Sequence, residues 1–472
     1  MKKEKDKENE ELGPIVFQTS GSPKALGKCE LRRIEGGLES FRFDDKFYLA
    51  SNLRLQLDKG HIRLLTLEPG ASDETIHCSL RTTELPARVR SDPPVVHPRL
   101  QATDLPEYTA LSYQWGPKGS KSVLILCNDV PFFVTRNLHA ALLHLRDRQR
   151  QQTLWIDSIC INQKDKKEKT QQVRRMAEIY LFAASTIAWL GEGSFLCREG
   201  FRSLRSFAQA SHETLQSSGG DSQEQPGYLS VSNVRRRLGP MVPSGCMWMW
   251  KLATVHSILR LEYFTRMWII QEICLSKSVI FACGSERMRL ADFIDGSAAI
   301  LVTDVGDSPT RNLAHILEAR SLLPWWRSGG ADDLSYKVGH FERLKAWGRS
   351  DLLTLLVSFR GSCAGVQQDN IFALLGLSTE IHGEGNFGIN VDYSMAEAEL
   401  YISAARSMLR VQGDLRIFGA VVASTSGIDL PSWVPEWRKP LRSGRLRILS
   451  INSHFRASLN THYSPPERRE TG

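Results

Sequence analysis

Between Thr153 and Gly191 the spacing of apolar residues changes twice, and that change predicts an α/β core. Leu154-Trp155-Ile156 is a short apolar run of the buried-strand type, stopped by Asp157. Asn162 and Gln163 open a polar loop, and every residue from Lys164 to Lys169 is charged, so this stretch is expected to face water. From Glu168 the period becomes helical. Val173, Met176, Ala177, Tyr180 and Ala184 share one stripe, with Gln171, Arg174, Arg175 and Glu178 off it. Thr186–Leu190 is a second apolar strand, closed by Gly191. Strand, helix, strand over about forty residues predicts a parallel βαβ unit with a right-handed crossover.

The same reading extends along the chain. Residues 1–46 are rich in Lys, Glu, Gly and Ser without periodicity, which predicts a disordered tail. IRLLTL (Ile62–Leu67) and TIHCSL (Thr75–Leu80) read as strands, Pro69-Gly70 as a turn, and Ser91–Leu105 as a proline-rich loop. Tyr108–Tyr113 is an apolar strand. Val123–Leu126 and Phe132–Val134 flank Asn128-Asp129 as a hairpin with a tight turn. Leu138, Ala141, Leu142 and Leu145 mark a helix with Asn137 as its expected N-cap. Residues 192–243 are dominated by Ser, Gln, Gly and charge, and are expected to form a mobile insertion. A helix is expected from Trp248 to Leu275, then a short strand, a linker over 284–340 with some helix at Leu313–Leu323, a helical region over 341–437, and a basic irregular tail over 438–472.

Composition narrows the function classes. Apolar residues at 42% and charged residues at 24% are those of a globular protein. A net charge of +8 over 472 residues is mild and does not argue for nucleic acid. The Arg235–Arg237 run and the basic tail lack interleaved aromatics, so they read as solvated surface. Nine cysteines without CxxC pairs argue against a disulfide framework or a metal site, and Cys160, Cys274 and Cys283 read as reduced core residues. The charged N-terminus lacks the apolar segment of a signal peptide. No run reaches the ~18–20 apolar residues of a membrane span. A cytoplasmic location is the expectation.

Candidate chemistry is sparse. No GxSxG elbow, HExxH or complete Walker A is present, and GPKGSKS (Gly116–Ser122) has the wrong spacing for a P-loop. It does lie beyond the carboxyl end of a strand, where α/β proteins bind ligands. Trp115 and Gly116 stand at that strand end and Asp157 at the equivalent end of another, so these three are pocket candidates. Trp155, Trp189 and Trp268 lie in apolar stripes and read as core. In RMWIIQEIC, helical spacing puts Phe264, Trp268, Glu272 and Leu275 on one face, with the carboxylate against an aromatic wall. Burial there would poise Glu272 for chemistry. From the residues alone the favoured reading is that Glu272 pairs with a nearby arginine or caps a buried donor as a structural acid.

Several blocks occur in one order: RLLTLEPG, YTALSYQWG, LWIDSICINQ with QVRRMAEIY and AWLG, YFTRMWIIQEI, DNIFALLGL and LPSWVPEW. They resemble the fungal heterokaryon incompatibility (HET) domain, here placed over 62–283 with its core motifs at 108–272. HET domains in turn are similar to Toll/interleukin-receptor (TIR) domains of innate immunity, some of which cleave NAD. The resemblance implies a TIR-like or flavodoxin-like parallel sheet with helices, followed by a mainly helical C-terminal region. It implies a role in non-self recognition between fungal cells, with programmed cell death after fusion. Trp268 and Glu272 resemble the Trp and Glu of the NAD-cleaving members, which makes Glu272 the candidate catalytic acid, Trp268 a pocket residue and NAD a substrate rather than a cofactor. The other implied reading is a signalling module that works by self-association or with a protein partner, or an inactive relative.

Overall fold

The computed structural model describes residues 46–49, 55–58, 60–85, 106–116, 122–217, 245–303, 351–378, 388–412, 415–421 and 427–438. The expected tail over 1–45, the proline-rich loop, the later part of the 192–243 insertion, the Leu313–Leu323 helix and the 438–472 tail beyond Arg438 lie outside the described residues.

The strands are β1 (His61–Leu67), β2 (His77–Glu84), β3 (Thr109–Tyr113), β4 (Ser122–Cys127), β5 (Val130–Thr135), β6 (Gln152–Trp155), β7 (Ser185–Trp189), β8 (Val279–Cys283) and β9 (Glu286–Arg289). They form one sheet in the order β5-β4-β2-β1-β6-β3-β7-β8-β9. The α/β class holds, but the sheet is mixed rather than parallel. Neighbours β6, β3, β7 and β8 are parallel, while β1 is antiparallel to both β2 and β6. Only strands joined by long crossovers can run parallel, and the short connections β1–β2, β4–β5 and β8–β9 reverse the chain.

The helices are α1 (Lys46–Leu49), α2 (Arg136–Leu145), α3 (Asp157–Cys160), α4 (Lys166–Arg174), α5 (Met176–Phe182), α6 (Phe195–Ser217), α7 (Gly245–Leu259), α8 (Trp268–Leu275), α9 (Leu290–Thr303), α10 (Leu352–Ser358), α11 (Asp369–Leu375) and α12 (Glu397–Gln412). Among the described residues, no helix is long and apolar enough to cross a membrane.

The central βαβ unit forms as its pattern predicts, with β3 inserted between β6 and β7. Its helical part starts earlier than the apolar stripe, at Lys166, because Asp165 caps it by accepting from the N–H groups of Lys167 and Glu168. A break at Arg175 divides it into α4 and α5. The Asn128-Asp129 turn carries φ of 52° and 61°, the left-handed pair of a tight hairpin.

Five expectations are corrected. The cap of α2 is Thr135, whose Oγ accepts from Leu138 N. Asn137 instead joins two strand ends, donating to Gln114 O at 2.7 Å and accepting from Trp189 Nε1 at 2.9 Å. The first part of the insertion is not coreless. Cys197, Phe201, Leu204 and Phe207 are buried at helical spacing on α6. Cys283 is not a reduced thiol but is bridged to Cys197. The expected helix over Trp248–Leu275 is two helices, α7 and α8, separated by a 3-10 turn at Glu262–Thr265 and an extended Arg266. The charged Lys164–Lys169 stretch does not wholly face water, since Glu168 turns inward to Arg63.

That last contact anchors the sheet. Arg63 on β1 is buried, and its guanidinium donates to Leu55 O at 2.7 Å, Cys160 O at 3.0 Å and both oxygens of Glu168 at 2.5 and 2.9 Å. The Tyr48 ring lies 4.7 Å from its Cζ. Removing one partner of such a pair leaves an uncompensated buried charge. Glu168→Ala is therefore expected to lower unfolding free energy by about 3–5 kcal/mol in urea denaturation. A Glu168→Ala protein as stable as the wild type would show that Arg63 is held by its carbonyl partners alone.

Candidate functional site

The carboxyl ends of β3 and β6 and the start of α8 converge on one cluster of polar side chains. Ser112 is the penultimate residue of β3 and is buried. Its hydroxyl donates to Glu272 Oε2 on α8 and lies 2.6 Å from the Tyr263 hydroxyl. Because the Ser112 proton points to the carboxylate, Tyr263 donates to Ser112, and the three form a chain. Arg266 brings a charge to its other side, with Nη2 3.8 Å from Glu272 Oε1. That is an ion pair too long to be a hydrogen bond.

The outer half of the cluster is built at the strand ends. Asp157 opens α3, directly after β6, and its carboxylate accepts from Trp115 Nε1 at 2.9 and 3.1 Å. Ser158 N donates to Asp157 Oδ1 at 2.7 Å, and Gln163 Nε2 donates to Asp157 O at 2.9 Å. Tyr113 donates to Ser158 Oγ at 2.6 Å. Gly116 follows Trp115 with φ of 85°, in the left-handed region where a side chain is disfavoured, and this turns the chain away at the strand end. Exposure falls inward, from the residue Trp115 at 38% through the side chain of Arg266 at 19% to that of Glu272 at 3%.

Burial raises the proton affinity of both acids. Asp157 is pushed up to about 7, first by burial and then by the charge of Glu272, against the pull of Arg266 and the Trp115 hydrogen bond. Burial likewise raises Glu272, opposed by Arg266 and by the Ser112 hydroxyl. For Arg266 burial works against the charge, but Glu272, Tyr263 and Asp157 more than offset it. Asp157, raised to about 7 beside a permanent cation, can hold or pass a proton near neutral pH.

The sequence-predicted residues are partly gathered. Trp115, Gly116 and Asp157 meet at the strand ends, and Glu272 lies inside them through the shared influence of Arg266. Trp268 is engaged elsewhere, because its indole bonds Asp369 at the start of α11. Phe264 falls before the helix break, so the aromatic neighbours of Glu272 include Tyr263 rather than a Phe264–Trp268 wall. Ser112, Tyr263 and Arg266 were not among the predicted site residues. For Arg266 a signal existed, an arginine inside the apolar run YFTRMWII.

The C-terminal region holds this segment from behind. Cys363 N donates to Thr265 O at 2.6 Å and Met267 N donates to Cys363 O at 2.9 Å, bracketing Arg266 in a parallel bridge. Tyr393 donates to Asp369 at 2.8 Å, and Gln271 links Ala373 O to Ala177 N in the amide orientation that satisfies both.

Residues 108–272 match the family model described as Heterokaryon incompatibility protein (HET). Heterokaryon incompatibility protein 6, OR allele, of Neurospora crassa is 29% identical over 437 residues, covering 83% of this chain. The chain spans 60% of that relative's length. No solved structure matches. The HET segment contains Ser112, Trp115, Asp157, Tyr263 and Arg266 and ends on Glu272, so the whole cluster lies within it.

The Asp157 pKa gives a sign for the pH dependence of stability. Its folded value of about 7 exceeds the ordinary 3.8, so the folded state holds the proton where the unfolded state releases it. Its stabilising contribution is full below pH 3.8 and is lost as pH rises to about 7. Asp157→Asn, which cannot ionise, is expected to gain stability relative to the wild type across that window and to hold a constant difference above it. Thermal unfolding from pH 4 to 8 measures this, and parallel curves would refute the assignment.

Proposed function

We propose that this protein acts in fungal heterokaryon incompatibility and that its HET domain does so by hydrolysing the N-glycosidic bond of NAD, with cell death following from NAD loss. The HET match and the name of the Neurospora relative support the biological role. The observation carrying the chemistry is the pairing of Glu272 and Asp157, both raised by burial, around Arg266 at strand carboxyl ends.

In this reading the bond from the nicotinamide nitrogen to the anomeric carbon breaks, and its electron pair leaves with nicotinamide as a neutral ring. Positive charge develops on the ribose ring. Glu272 in its ionised form, favoured by Arg266 and the Ser112 donor, stabilises that charge. Water attacks the anomeric carbon and loses its proton to Asp157, whose pKa of about 7 leaves a large ionised fraction at neutrality. ADP-ribose, nicotinamide and a proton are the products. Trp115, hydrogen-bonded to Asp157 at the exposed end, is the first group a ligand meets.

A second reading is supported by the completeness of the Glu272 environment. A carboxylate 3% exposed, bonded to Ser112 and facing Arg266, also suits a structural acid in a module that signals by self-association or through a protein partner.

The discriminating measurement is the NAD level in cells expressing the full chain, wild type against Glu272→Gln at matched soluble expression. NAD loss with the wild type, and at least a hundredfold slower loss with the variant, is expected for a charge-stabilising residue. Cell death without NAD loss would eliminate hydrolysis and leave the association reading.

A further inference from the structure

Arg266 does no bond breaking in the reaction above, yet its guanidinium is the least satisfied group of the cluster. An arginine keeps its charge under all ordinary conditions. Burying one without acceptors is costly. The buried Arg63 meets that requirement, reaching two carbonyls and a carboxylate. Arg266 has the 3.8 Å approach of Nη2 to Glu272, and its Nη1 is buried with no hydrogen-bond partner among the described residues.

The backbone of Arg266 is firmly placed. Backbone bonds from Cys363 to Thr265 and Met267 fix the residue on both sides, and the Tyr263 ring lies 6.0 Å from the guanidinium. A fork with donors to spare on a fixed backbone matches a pair of phosphoryl oxygens better than a single hydroxyl.

We propose that Arg266 binds a phosphoryl group of a nucleotide, the one attached to the ribose whose anomeric carbon faces Glu272. The 3.8 Å between Arg266 and Glu272 leaves no room for a sugar between them, so the two groups would meet the ribose and its phosphate from one side. Arg266 is also more exposed than Glu272, so the phosphates and the remainder of the nucleotide lie on the solvent side. The proposal rests on the NAD reading for its ligand but needs no turnover, and the two can fail separately.

The test is equilibrium binding to the purified full chain by calorimetry, with three probes: ADP-ribose, inorganic pyrophosphate, and nicotinamide riboside, which has no phosphate. Arg266→Lys keeps the charge and removes the fork, and its circular dichroism melt confirms that it folds. ADP-ribose and pyrophosphate are expected to bind the wild type and to bind Arg266→Lys about tenfold or more weakly. Nicotinamide riboside is expected to bind both alike. Equal binding of ADP-ribose and pyrophosphate to the two proteins overturns the proposal, as does their failure to bind the wild type. Arg266-dependent ADP-ribose binding without NAD loss in cells keeps the phosphate site and removes the hydrolysis reading. NAD consumption with the same KM in wild type and Arg266→Lys does the reverse.

Discussion

A buried guanidinium must find acceptors for its donors, and Arg63 finds them in three separate parts of the chain. Leu55 precedes the sheet, Cys160 ends the turn that follows β6, and Glu168 lies on the first crossover helix. The strand carrying Arg63 runs antiparallel between β2 and β6, in the middle of the sheet. One side chain therefore joins the antiparallel arm to the parallel block. The turn that Arg63 grips at Cys160 begins at Asp157, so the same constraint sets the outer carboxylate of the site.

The site then follows from two further constraints. Parallel pairing of β3 with β6 and β7 brings Ser112 and Asp157 to the same end of the sheet. The break between α7 and α8 turns Arg266 out of a helix, where its backbone can bridge to Cys363, and lets Glu272 enter from α8. A continuous helix would have left Arg266 bonded to its own turns. The Arg266 charge that opposes the burial-driven rise of Asp157 and Glu272 is thus a product of interrupted secondary structure.

Much of this was legible in local pattern. The strands around Tyr108, Leu154 and Thr186, the Asn128-Asp129 turn and the α12 helix all carry a period or a turn pair that needs no distant partner to be read. Trp115 and Asp157 were placed by being at strand ends, where chain geometry alone limits what they can meet. Other features depend on partners far along the chain. The place of β1 beside β6 is secured by Arg63 meeting Glu168, 105 residues away, and no period encodes that contact. The 260–267 interruption is stabilised by Cys363, so a run of apolar residues there reads as one helix. The α6 stripe was hidden by the polar composition around it, although Cys197, Phe201 and Leu204 carry the spacing. The arginine inside YFTRMWII signals a buried charge, but its approach to Glu272 depends on the helix break, which the apolar run does not show.

The placement of β1 bears on inheritance as much as on folding. The HET-matched stretch begins at residue 108, after β1 and β2, and stops at Glu272, before β8 and Cys363. A recombination event that carried only that stretch into another gene would deliver β6 with one side unpaired, since β1 covers it here. Open strand edges recruit other strands. The transplanted piece would acquire a seam able to pair with a further copy of itself, along with a site segment lacking the bridge that holds Arg266. Shuffling at the borders of this domain would by itself favour polymers over monomers.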